Sequence, residues 1–186
     1  MSRILMYALA ALLITGGAVS AFLVSGYYNI GADQPHSRLT FWALETLRNN
    51  SVDKRSKTIQ VPPLDSSDLL IAGGQDYNEM CAGCHMRPGR RQTDLSQGLY
   101  PSPPDLTLPP QAPGAIEGNS ATVLRARNRF WIIKHGIKAS GMPAWGLTHD
   151  DNRIWAMVAF LEQLPALTLE QYEIITARKR AVVGHH

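Results

Sequence analysis

An all-α fold preceded by one hydrophobic N-terminal helix is what this sequence predicts, on three observations. Apolar residues recur at helical spacing in several segments that Ser, Thr or Asp opens and Gly or Pro closes. No run of residues alternates convincingly as a strand would. The 12 Pro and 15 Gly of the 186-residue chain gather in a few stretches, as long ordered connections between a small number of helices require. The length suits one ordinary domain with appendages.

Residues 1–28 read as a membrane anchor. Ile4 to Val24 contains no charged residue, and a helix of that length spans roughly 30 Å, the thickness of a bilayer's hydrocarbon core. Arg3 precedes it, and Tyr27 and Tyr28 follow at headgroup depth. The basic side stays in the cytoplasm, so the expected location is a single-pass inner (cytoplasmic) membrane protein with the remainder on the periplasmic side. A cleaved signal peptide is the competing reading, since Ala18, Ser20 and Ala21 loosely satisfy a cleavage site. Phe22, Leu23 and Val24 carry the apolar run past that point, which favours the uncleaved anchor.

Residues 29–65 read as a linker with an amphipathic helix. Leu39, Phe41, Trp42, Leu44 and Leu47 recur at helical spacing, with Arg48, Lys54, Arg55 and Lys57 as a basic end. Such a segment can lie on headgroups or a partner protein, or simply pack on its own domain. Val61-Pro62-Pro63 then breaks the chain.

Residues 66–165 are expected to form the main domain. Ser66 or Ser67 caps a helix to about Met80, with Leu70 and Tyr77 on one face. Ser120 caps a second, carrying Val123, Leu124, Phe130 and Trp131 and ended by Gly136. Asp150 or Asp151 opens a third, in which Ile154, Met157, Val158 and Leu161 form one face until Pro165. Between the first two lies Met86 to Asn119 with seven prolines, a loop whose length makes sense if it wraps something. Residues 166–186 read as a basic amphipathic tail, capped by Thr168 and ending near Arg180.

Charge narrows the function. Within residues 66–165 nine Lys/Arg balance nine Asp/Glu, so the net +3 lies in the flanks and no concentrated basic face exists for nucleic acid.

The only two cysteines fall in Cys81-Ala82-Gly83-Cys84-His85, the C-x-x-C-H pattern of covalent haem attachment. Two thiols must reach two vinyl groups on neighbouring pyrroles, and the next side chain must point at the iron from the same face. Residues i, i+3 and i+4 of a helical turn share one side, and Gly83 lets the backbone approach the ring edge. A zinc site would need about four ligands, and only the terminal His185-His186 offers a further pair. A redox dithiol would need a βαβ setting that the chain lacks. One covalently bound haem c is therefore expected, with His85 as proximal ligand.

The second axial ligand is assigned to Met142. Gly141-Met142-Pro143-Ala144-Trp145-Gly146 is an irregular loop in which Pro143 holds Met142 extended. Met80 and Met86 flank the proximal motif, Met157 reads as core, and Met6 lies in the hydrophobic segment. His135 is the strongest rival, though a helix cap or a place near the haem edge suits it better.

With these residues, the sequence resembles class I cytochromes c, membrane-anchored bacterial mono-haem members among them, over about residues 66–165. Gly73 and Tyr77, eight and four residues before Cys81, match the family's glycine and aromatic of the N-terminal helix. Phe160 is similar to the C-terminal-helix aromatic that packs across that glycine. Pro104-Asp105-Leu106 is similar to the family's Pro-Asn-Leu, whose proline carbonyl accepts a hydrogen bond from the proximal histidine. The resemblance implies a cytochrome c fold with additional flanking helices. It also implies a haem pocket that includes Tyr100 and Trp145, and transfer of single electrons to or from membrane-bound or periplasmic redox proteins. By itself such a protein is no enzyme, though it can be a carrier or a subunit of a respiratory or dehydrogenase complex. The alternative is a haem enzyme or gas sensor with an open or displaceable distal site, against which no distal His-Arg pair stands out. A tethered subunit whose haem is mainly structural is a third reading.

Overall fold

The computed structural model describes residues 2–109 and 119–177. The described chain is helical and holds no strand, the one pairing being an isolated bridge between Arg87 and Arg90. It divides into two compact units, residues 1–35 and 36–186.

The first unit is built on α1, Arg3–Val24, whose first turn is capped by the Ser2 hydroxyl. Its apolar side chains point outward on every side and none is buried. Its 22 residues measure about 33 Å at 1.5 Å per residue, enough to cross a bilayer.

The second unit is assembled around α3, Ser67–Asp76, and α7, Asp151–Gln163. Ser66 and Asp150 cap them, each side-chain oxygen accepting from the backbone two or three residues on. Every residue of α7 from Ile154 to Leu161 is buried, making it the centre of the core. The two helices cross where α3 has no side chain: a Cβ on Gly73 would overlap the Ala156 carbonyl. Gly74 opens the neighbouring approach, since a Cβ there would come within 3.0 Å of the Phe160 ring and 2.8 Å of Ile175. Phe160 lies over Gly74, beside the point where the helix backbones meet at Gly73. Arg153 of α7 adds a bidentate ion pair to the buried Asp76 at 2.6 and 2.8 Å.

α3 runs on through a widened helical turn, Tyr77–Cys81, into α4, Ala82–His85. The loop expected after it holds a short helix, α5, Asp94–Gln97, closed by a reciprocal cap between Thr93 and Ser96. Pro110 and Pro113 of that loop lie outside the described residues. α6, Asn119–His135, stacks Phe130 on Trp155 of α7 at 4.1 Å and sends Arg125 and Arg129 to Glu162. Burial lowers the Arg129 pKa and Glu162 opposes that shift.

The flanks pack on this body. α2, Arg38–Ser56, meets α6 through its last turns, where Asn128 contacts Ser56 and donates to Asp53 at 2.7 Å. α8, Leu169–Thr176, buries Tyr172, whose hydroxyl donates to Asn78 at 2.9 Å. The expected basic helix to Arg180 is corrected here. The helix stops at Thr176, Ala177 being extended, and its charged residues are Glu170 and Glu173. Arg178, Lys179 and Arg180 lie outside the described residues.

Gly73→Ala should lower the stability of the full chain by about 1 to 3 kcal/mol, because the added methyl forces two helix backbones apart. Urea unfolding followed by helical circular dichroism measures this, and an unchanged midpoint would show that the crossing tolerates separation.

Candidate functional site

The C-x-x-C-H segment stands at the end of the helical path that begins at Ser67. Cys81 and Cys84 are free thiols, both half-buried. Burial pushes the Cys81 thiol up to about 12, with Asp76 and Cys84 adding to the shift. Gly83 between them faces open space, since a Cβ there would meet nothing within 4 Å.

His85 is held from two sides. Its Nδ1 lies 2.9 Å from the Pro104 carbonyl, and a carbonyl can only accept, so Nδ1 carries the proton and Nε2 keeps its lone pair. Burial lowers the His85 pKa, and the Pro104 hydrogen bond works against that shift. Asp105 holds the next turn by accepting from Thr107 N and Oγ1 at 2.9 and 2.6 Å, and Leu106 N donates to the His85 carbonyl at 3.2 Å. Tyr77 supplies the second clamp. Its hydroxyl points at the carbonyls of His85 and Met86, at 2.9 and 2.7 Å, and burial raises its pKa far above the usual tyrosine value, so it remains a donor. The clamp sits where the chain turns sharply: Met86 has φ +69° and ψ 175°, a conformation that glycine adopts readily and methionine only under constraint.

The Met142 loop is closed by its own backbone. Gly136 has φ +64°, and a Cβ there would come within 2.7 Å of the Met142 carbonyl. Ile137 N donates to that carbonyl at 3.2 Å, while Ser140 Oγ donates to the Ile137 carbonyl and accepts from Met142 N. Met142 and Trp145 are half-buried against the same core that Met80, Cys81 and Leu106 adjoin. Two distant segments, 80–85 and 142–145, therefore border one apolar cluster.

The remaining candidates are distributed as follows. Tyr100 is half-buried, its hydroxyl accepting from His36 N at 3.0 Å and its ring lying edge-on to the His36 ring. Its neighbour Leu99 packs against Gly141. The rival His135 is exposed at the end of α6, its ring 4.9 Å from that of Trp131. Met157 and Met86 are buried, and Arg87, Arg90 and Arg91 are exposed.

These residues fit a haem c. Two thiols lie on adjacent helical turns with an open glycine edge between them, and the imidazole is fixed with Nε2 available. Half-buried apolar side chains border the same cluster, and a thioether stands in a loop. Among the described residues no three His, Cys, Asp or Glu gather as a bare metal ion would require. Sequence reading did not find the Tyr77 hydroxyl clamp or the Ser140 bridge; both link groups close in the chain, but only the folded path of each loop aligns donor with acceptor.

Comparison with known proteins agrees with this geometry. The family model described as cytochrome c oxidase, cbb3-type, subunit III matches residues 69–161, half of the chain. No curated protein and no solved structure gives a significant match.

Tyr77→Phe should leave the Pro104 bond intact but strip the clamp from two carbonyls, costing about 1 to 3 kcal/mol. Thermal unfolding of the holoprotein measures the loss, and a wild-type midpoint would mean that water or a neighbour replaces the hydroxyl.

Proposed function

The chain belongs to the cytochrome c oxidase, cbb3-type, subunit III family of c-type cytochrome domains, and from that premise we propose that it is a membrane-anchored mono-haem carrier of single electrons. The observation that supports this most is the His85–Pro104 bond beside two free thiols. Cys81 and Cys84 would hold the haem by thioether bonds, and the Pro104 carbonyl orients His85 and would strengthen it as a ligand. Bound haem supplies one iron that alternates between the ferric and ferrous states.

Met142 would offer its sulfur as the second protein ligand, which favours the ferrous state. Trp145, half-buried near Met142, would exclude water there, which favours the less charged state further. Tyr100 completes the pocket rim through Leu99, which touches the Met142 loop at Gly141. With His85 and Met142 both holding the iron, no position would be left for a substrate, and the domain would exchange electrons with redox proteins. The candidate span α1, with the basic Arg3 at its start, supports reading this domain as held on the periplasmic side of the inner membrane, as a carrier or a complex subunit.

Acid-acetone extraction of the denatured protein should leave its haem stain in place, and full removal would refute attachment at Cys81 and Cys84. For the distal ligand, ferric wild type should show the weak far-red charge-transfer band of a methionine-iron bond and resist carbon monoxide when reduced. Met142→Ala should lose the band, lower the potential and bind carbon monoxide, while His135→Ala keeps the band. An unchanged Met142→Ala spectrum, or loss of the band in His135→Ala, would overturn the ligand and favour an open-site haem protein.

A further inference from the structure

The first turns of α2 expose more apolar surface than the packing of this unit explains. Leu39, Trp42, Ala43, Thr46 and Leu47 follow the i, i+3, i+4, i+7, i+8 spacing of one helical stripe. Leu39, Trp42 and Leu47 are 72%, 62% and 67% exposed, and Phe41 and Leu44, elsewhere around the helix, are exposed as well. The far end of the helix is held through Asp53, Ser56 and the Lys57 carbonyl, which Asn128 and Arg127 of α6 engage, and the chain just ahead of it through His36, which meets Tyr100. The apolar face between those two attachments is displayed to solvent. A contiguous patch of this kind marks an interaction surface.

Two observations say what covers it. The first is charge. The line of Leu39, Ala43 and Leu47 continues into Asn50, Lys54 and Lys57, so the stripe changes from apolar to cationic along its length. Of the charged residues from Arg38 to Lys57, Arg38, Arg48, Lys54, Arg55 and Lys57 outnumber Glu45 and Asp53. An apolar stripe with an aromatic anchor and flanking cations suits the boundary between acyl chains and anionic headgroups. The second is the tether. Thirteen residues, Ser25 to Ser37, join α1 to α2, and fully extended they reach at most roughly 45 Å. A helix so tied to a membrane span meets the bilayer surface at high effective concentration.

We infer that the Leu39–Leu47 face of α2 lies in the membrane interface, with Trp42 among the upper acyl chains and Lys54 and Lys57 at anionic headgroups. This rests on α1 being an uncleaved anchor. The contact would hold the haem domain at the bilayer surface, restricting its search for partners from a volume to a plane.

The test uses full-length holoprotein in vesicles of phosphatidylethanolamine and phosphatidylglycerol. Thioether bonds consume Cys81 and Cys84, so Trp42→Cys, Leu47→Cys, Lys54→Cys and Ile14→Cys each carry one spin label. Electron paramagnetic resonance then compares collision with oxygen, which concentrates in lipid, against collision with a water-soluble nickel chelate. The labels at 42 and 47 should respond several-fold more to oxygen than to the chelate, and the label at 54 the reverse. In vesicles of phosphatidylcholine alone, the oxygen preference at 42 should fall. Labels at 42 and 47 as open to the chelate as the label at 54, with Ile14→Cys in lipid, would overturn the inference while leaving the anchor standing. Shielding of 42 from both reagents, growing with protein density, would assign the face to a second copy and overturn the lipid assignment. A chelate-accessible label at 14 would overturn the anchor and the inference together.

Discussion

The crossing of α3 and α7 at Gly73 is the contact on which the rest of the haem domain depends. Because no side chain separates the backbones there, the two helices come close enough for Asp76 to receive Arg153 and for Tyr77 to reach Phe160, ring centroids 5.2 Å apart. Tyr172 closes the same aromatic cluster from α8. Asp76 and Tyr77 are also the residues where the helical path turns toward Cys81. A contact between two helix backbones thus becomes the rigid mount of the attachment motif.

From that mount the geometry of His85 follows by hydrogen bonding. Tyr77 holds its carbonyl from the core side, Leu106 N holds the same carbonyl from the loop, and Pro104 holds its ring. All three act without a charged group, which matters in an apolar pocket, where an unpaired charge would be costly and would bias the redox state. The strained backbone at Met86 is tolerated because the surrounding bonds over-determine it. The Met142 loop uses another device, a left-handed glycine and a serine bridge, to bring its methionine against the same cluster.

The flanking helices have different relations to this body. α8 is part of it: Tyr172 is buried and Ile175 sits over Gly74. α2 belongs to it near Ser56 while the face around Trp42 stays exposed, so the same helix is structural in one place and available in another. That division explains how a segment outside the family match can matter to the domain while presenting a separate surface.

Much of this was legible in sequence because it depends on local spacing. The C-x-x-C-H pattern names thiols and ligand, Ser66, Asp150 and Thr168 act as caps by chemistry that spans three residues, and Gly136 marks a helix end by its own backbone freedom. Pro104 as the partner of His85 came from family resemblance, since nothing in the local pattern selects it from seven prolines. What the tertiary structure alone decided involves groups far apart in the chain, or the exact path of a loop. That Phe160 comes to lie over Gly74 depends on how α3 and α7 pack, and whether Tyr172 is core or tail depends on where α8 lands. The alternation of apolar residues in α2 was plain in the sequence, but periodicity cannot distinguish a buried face from an exposed one. Only the folded structure shows that the face around Trp42 is left to solvent.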